Sequence, residues 1–188
     1  RLGDVCDFNP RRPEINRDDK CLTSFVQMSS VEGAGRGIAR MEQKPYSDVR
    51  KGYTYFGEGD VLFAKITPCM QNGKSAIAKN LVGGLGFGST EFHVLRPTDV
   101  VTSEYIFWLI RRPIFRAQAE KNFTGTAGQQ RVPTSFLENY PCPVPPLSLQ
   151  KEFAQRVTEI RELEASQATS RTRLDTLFQS MLHRAFNG

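Results

Sequence analysis

The chain has very little of what catalytic and metal centres are made from. It has two histidines, His93 and His183, far apart in sequence, and four scattered cysteines, Cys6, Cys21, Cys69 and Cys142, with no C-x-x-C pair. That spacing argues against a zinc site. Cysteine is also too sparse over 188 residues for a secreted disulfide framework, so reduced thiols in a cytoplasmic protein are the expectation. No apolar run approaches the ~18 residues of a membrane span. The opening Arg-Leu-Gly-Asp-Val has no apolar signal-peptide core, and the absence of an initiating Met leaves open that the chain is a fragment. G-x-S-x-G, P-loop and H-E-x-x-H motifs are all missing. Together these absences predict no catalytic residue, no metal and no cofactor.

Acid is missing too, but only locally. Formal charge is +5, yet residues 61–90 carry three lysines and no acid, and residues 105–137 carry five basic residues against Glu120 alone. A modest excess focused on a few loops suits contact with a polyanion better than indiscriminate coating of one. The apolar fraction, 39%, is below that of an average globular protein, as an extended, solvated helix would produce.

Three zones follow. Residues 1–100 read as short strands, Leu22–Met28, Tyr53–Phe56, Asp60–Ile66, Ser75–Ala78 and Glu91–Leu95, divided by Gly, Pro, Asn and Asp turns. Glu32-Gly-Ala-Gly-Arg-Gly37 reads as a loop offering Arg36 as a phosphate arm. Glycines 83, 84, 86 and 88 lack the Lys/Ser ending and following helix of a phosphate loop, and read as a turn. In residues 101–147, Thr102 or Ser103 caps a helix whose apolar face is Ile106, Phe107, Leu109 and Ile110. Pro113 opens a second helix holding Phe115 and Ala119. Ser135 and Glu138 have capping-box spacing for a third, and Tyr140-Pro-Cys-Pro-Val-Pro-Pro146 forms a stiff extended strap. From Ser148, a plausible N-cap, no Pro or Gly intervenes before Gly188, which predicts one helix of ~40 residues, or ~60 Å. Its apolar residues fall at heptad-like positions, Leu149, Phe153, Ile160, Leu163, Leu174, Leu177 and Met181, widened by Val157 and Phe178. Such a stripe asks for a partner helix, and a coiled coil is expected.

Two polar segments carry the chemistry. Between Asp60 and Glu91, Lys65, Thr67, Gln71, Asn72 and Lys74 cluster around a glycine-bearing loop. Later, Thr124-Gly-Thr-Ala-Gly-Gln-Gln-Arg131 sets Thr126, Gln129, Gln130 and Arg131 among glycines that let backbone approach a ligand closely. Gln pairs with adenine, and Arg with guanine, through two hydrogen bonds in the major groove. Lys44 and Lys51 join Arg36, Lys65 and Lys74 as candidate phosphate contacts. His93, flanked by Phe92 and Val94 in a strand, reads as structural.

Asp60-Val-Leu-Phe-Ala-Lys-Ile-Thr-Pro-Cys-Met-Gln-Asn-Gly-Lys74, Gly88-Ser-Thr-Glu-Phe-His-Val-Leu-Arg-Pro97, Thr124–Arg131 and Pro145-Pro-Leu-Ser-Leu-Gln150 before a long helix resemble the target recognition domains of type I restriction-modification specificity subunits. The resemblance covers nearly the whole chain in order. It implies an α+β fold, with a target recognition (DNA-binding) domain of mixed short strands and helices over 1–147 and a coiled-coil spacer or dimerisation helix over 148–188. It also implies a non-catalytic subunit that binds double-stranded DNA and directs a DNA adenine methyltransferase subunit and a restriction/translocase subunit to one half of a bipartite target. Asn9-Pro10 begins like an adenine-methyltransferase motif, but Arg11 and Arg12 follow, so methylation would belong to a separate subunit.

Family members carry two recognition domains and two helices, where this chain has one of each. It is therefore either half of a longer subunit or a half-subunit that pairs with itself. The recognition part of a fused restriction-methylation enzyme and a coiled-coil interaction scaffold are the alternatives. The resemblance also implies that shared framework residues, among them Phe63, Ile66, Phe87, Phe92 and Val94, build the core.

Overall fold

Short β-branched and aromatic runs broken by turn residues build two four-stranded sheets between Cys6 and Pro97. The computed structural model describes residues 1–33, 37–126 and 128–187. In chain order the elements are β1 (Cys6–Phe8), β2 (Leu22–Val26), β3 (Val31–Glu32), β4 (Gly37–Ile38), β5 (Glu42–Pro45), α1 (Tyr46–Val49), β6 (Thr54–Gly57), β7 (Val61–Ala64), β8 (Ser75–Ile77), β9 (Leu85–Gly88), β10 (Phe92–Pro97), α2 (Ser103–Arg111), α3 (Pro113–Lys121), α4 (Thr134–Asn139) and α5 (Leu147–Asn187). The first sheet runs β1-β10-β7-β8, antiparallel throughout. The second runs β5-β2-β9-β6, with β2 and β9 parallel and the other neighbours antiparallel. β3 and β4 form a separate ribbon. This is the α+β class the sequence implied.

The unbroken apolar run of β7 has a simple cause, since both faces of its sheet are covered and all four residues are buried. Val61 and Phe63 pack with Ile106, Phe107 and Ile110 of α2, Phe115 of α3 and Leu137 of α4. Leu62 joins Phe92 and Val94 of its own sheet and Val26 and Phe56 of the other, in a cluster drawn from both sheets. On the second sheet, Phe25 and Phe87 meet Tyr46 and Val49 of α1. Burying each such side chain contributes about 1.5–3 kcal/mol.

The helices begin largely where their sequence signals lie. The Thr102 hydroxyl accepts from the Tyr105 amide at 3.2 Å, so Thr102 is the cap of α2, and Pro113 is the first residue of α3. Two starts differ from expectation. Pro133 is the N-cap of α4 and makes no side-chain cap bond, so Ser135 sits inside the helix rather than at its head. α5 begins at Leu147, which puts Ser148 within its first turn.

The glycine run also differs from its reading as a turn. Gly83 and Gly84 do turn the chain, but Gly86 and Gly88 lie in β9 between two neighbouring strands. A Cβ on Gly86 would collide with the Phe56 ring, so glycine is there to admit an aromatic side chain. Of the expected framework residues Phe63, Phe87, Phe92 and Val94 are buried, whereas Ile66 is only half-buried.

The chain divides into two compact units, Arg1–Leu147 and Ser148–Gly188. α5 contributes 41 residues, ~62 Å at 1.5 Å per residue. Its Ile160, Leu163, Leu174, Leu177, Phe178 and Met181 are 55–67% exposed. Among the described residues, no helix is long and apolar enough to cross a membrane.

Candidate nucleic-acid interface

The two polar segments meet in the fold. The first, residues 65–74, connects β7 to β8, and the second, residues 124–131, connects α3 to α4. Four backbone hydrogen bonds join or close them. The Thr67 amide donates to the Gln130 carbonyl at 3.0 Å, the Val132 amide to the Lys65 carbonyl at 2.9 Å, and Thr124 and Arg131 exchange amide–carbonyl bonds of 2.9 and 2.8 Å. Segments separated in sequence by three strands and two helices are thus held side by side. The second loop is turned at Gly125 (φ +106°) and Gly128 (φ +87°), a backbone that a side chain would strain.

Within this pair of loops, Gln71, Asn72, Thr126 and Gln129 are exposed and Lys65, Thr67, Gln130 and Arg131 half-buried. The Thr67 hydroxyl oxygen is itself buried without a hydrogen-bond partner, so it is not presented at the surface as the sequence led us to expect. Arg131 spreads its guanidinium over Glu91, Nε to Oε2 at 2.9 Å and Nη2 to Oε1 at 2.7 Å, while Nη1 donates to the Gln129 carbonyl at 3.0 Å. The Arg131 hydrogen bond holds the Glu91 carboxyl below its ordinary value. Lys74 turns inward and donates to the Met28 carbonyl at 3.0 Å.

The remaining candidate cations lie elsewhere. Lys44, on β5, sits 4.2 Å from the Phe25 ring centroid and 3.4 Å from the Glu42 carboxylate. Lys51 is exposed after α1. Arg36 falls outside the described residues.

Sequence reasoning missed the residues that carry the first loop. Arg111 of α2 donates to the carbonyls of Gly73 at 2.8 Å and Gly33 at 2.5 Å, and its guanidinium lies over Phe107 and Trp108. Arg116 of α3 donates to the Gln71 carbonyl at 3.0 Å. In sequence both look like ordinary helix-surface arginines, and no local signal marks their distant acceptors. His93 is structural as read. Its Nε2 must donate to the Val132 carbonyl at 2.8 Å, which leaves Nδ1 to accept from Asn9 Nδ2 at 3.2 Å, and burial lowers its pKa. Asn9 Oδ1 in turn accepts the Val94 amide, which explains that residue without any methyltransferase chemistry. Among the described residues, no group of His, Cys, Asp and Glu could hold a metal ion.

What this arrangement can do chemically is present amides and hydroxyls on a hydrogen-bonded, acid-poor pair of loops, with Lys74 committed to a carbonyl and Arg131 to Glu91. The model of the type I restriction modification DNA specificity domain matches residues 1–172. The chain belongs to that family. Two curated relatives of the DNA specificity domain from Escherichia coli agree. The type I restriction enzyme EcoAI specificity subunit is 41% identical over 86% of this chain, and the EcoEI specificity subunit is 38% identical over 96% of it. The chain spans 27% and 31% of those relatives' lengths. The HsdS subunit from Thermoanaerobacter tengcongensis shares the fold of this specificity domain, with a TM-score of 0.68 at 22% identity over 98% of this chain and 48% of that one. A chain from a structure of type I R-M complex assembly and conformational transition superposes equally well, at 24% identity over 99% of this chain and 48% of its own.

Proposed function

We propose that residues 1–147 form a non-catalytic, sequence-specific reader of double-stranded DNA, and that the loops 65–74 and 124–131 are its reading surface. The observation that carries this is the Thr67–Gln130 backbone bond, which places two acid-poor, amide-rich loops on one surface in a member of the DNA specificity family. Gln71, Asn72, Thr126, Gln129 and Gln130 supply groups able to address base edges, with Thr67 and Arg131 at the base of the loops. Lys65 and Lys51 supply phosphate contact, joined by Lys44 and Arg36 where the DNA reaches them, whereas Lys74 is committed to the Met28 carbonyl.

The exposed stripe of α5 supports a second role as a coiled-coil spacer. Leu149, Phe153, Ile160, Leu163, Leu174, Leu177 and Met181 would pack against another such helix, either that of a second recognition half or that of a second copy. The span of the curated relatives, more than three times that of this chain, fits a bipartite target of which this domain reads one half. Adenine methylation and cleavage would then be supplied by separate methyltransferase and restriction/translocase subunits.

The test is co-expression with a partner adenine methyltransferase subunit and mapping of methylated adenines, together with salt-dependent binding to duplex DNA. A split motif and a steep fall of affinity with salt are expected. Salt-insensitive capture of a protein, with no sequence-dependent methylation, would instead favour the scaffold.

A further inference from the structure

Glu91 stands at the head of β10, between the two loops, and touches both. Its carbonyl accepts the Lys65 amide at 2.9 Å, where the first loop begins. Its carboxylate takes the paired bonds from Arg131, where the second loop ends. Arg131 passes the constraint on, because its Nη1 holds the Gln129 carbonyl at 3.0 Å and its backbone closes the loop on Thr124. Gln129 and Gln130 therefore sit on a loop whose backbone is held by the Thr67–Gln130 and Thr124–Arg131 bonds and, at the Gln129 carbonyl, by the arginine of the ion pair.

This geometry bears on how Arg131 can act. A guanidinium reads guanine through two parallel N–H donors, and here Nε and Nη2 are both committed to Glu91. Releasing them would leave a carboxylate, 25% exposed, unpaired on the surface that the phosphates must approach. We infer that Arg131 is a positioning residue rather than a base contact: the Glu91–Arg131 pair sets the register of Gln129 and Gln130 and neutralises an anion on the DNA-facing surface. This rests on reading the two loops as that surface.

The pair makes opposite predictions to a direct contact. The full chain is compared, as wild type, Glu91→Ala, Arg131→Ala, Arg131→Lys and the exchanged pair Glu91→Arg/Arg131→Glu, for binding to its selected duplex and to a scrambled one. Amide exchange at Thr124 and Arg131 is followed in parallel, with circular dichroism to confirm folding. A positioning pair predicts that both alanine variants lose about tenfold or more in discrimination and lose amide protection together. It also predicts that the exchanged pair regains most of both, while Arg131→Lys, keeping charge but not the fork, falls between.

Discrimination that survives Glu91→Ala but not Arg131→Ala, or an exchanged pair as poor as Arg131→Ala, would overturn the inference in favour of direct readout. Wild-type chain that binds both duplexes equally would instead remove the reading surface itself, and amide exchange would still report whether the pair fixes the loop.

Discussion

The globular unit and the long helix treat apolar surface in opposite ways. In the unit, β7 is buried on both faces and the buried carboxylate of Asp60, 1% exposed, is enclosed with partners, receiving Arg96 at 2.8 and 2.7 Å and the Gly57 amide at 2.7 Å. In α5 the large apolar side chains stay mostly exposed over 41 residues. The first pattern describes a fold complete in itself. The second describes a surface waiting for another, because a helix of that length with an uncovered stripe gains little from water. The globular region thus has a core of its own, whereas the helix leaves its large apolar side chains mostly exposed.

Three changes would break that contrast, and a fourth would sharpen it. Phe56→Ala empties the cluster drawn from both sheets and should cost about 3–5 kcal/mol, read as a lowered denaturation midpoint of residues 1–147 with self-association through α5 intact. If association fell in parallel, the two regions would not be independent. Leu163→Asp with Leu174→Asp should do the reverse. Each exchanges a side chain worth about 1.5–3 kcal/mol when covered, so dimers seen by sedimentation at micromolar concentration should dissociate while the melting of the globular unit is unchanged. A wild-type chain that is monomeric with α5 helical would count against self-pairing. Gly86→Ala drives a methyl into the Phe56 ring and should cost about 1–3 kcal/mol by overpacking, a loss that trimming Phe56 to Leu in the same chain should partly relieve.

The smallest effect is in pH. Glu91 titrates below its ordinary 4.5 in the folded chain because Arg131 bonds its carboxylate. The pair's contribution is therefore fully present above that ordinary value and is lost as pH falls through the depressed one. Amide exchange at Arg131 and Val132, corrected for intrinsic rates, should rise in acid before the core opens, and Glu91→Gln should abolish the dependence.

Much of this was legible in order along the chain. Thr102 and Pro113 announced their helices because a cap and a first-turn proline act on their immediate neighbours. The long helix was legible from the missing Pro and Gly. The glycines of β9 were misread because their reason, the Phe56 ring, comes from a different strand. Ser135 had the right spacing for a capping box, but the chain entered the helix two residues earlier, from Pro133.

The candidate interface divides in the same way. Its members, Gln71, Asn72, Thr126, Gln129 and Gln130, could be picked from residue type and local charge. Their adjacency could not, nor could the commitment of Arg131 to Glu91 and of Lys74 to Met28.

The sequence by itself determined the class of the fold, the long helix with its apolar stripe and the family, since these rest on local propensity, periodicity and ordered motifs. Only the tertiary structure decided which cations are spent on internal carbonyls and carboxylates and which loops share a surface. Those outcomes depend on contacts between residues far apart in the chain, Arg111 with Gly33, Arg131 with Glu91 and Thr67 with Gln130, and no local pattern encodes where such partners will meet.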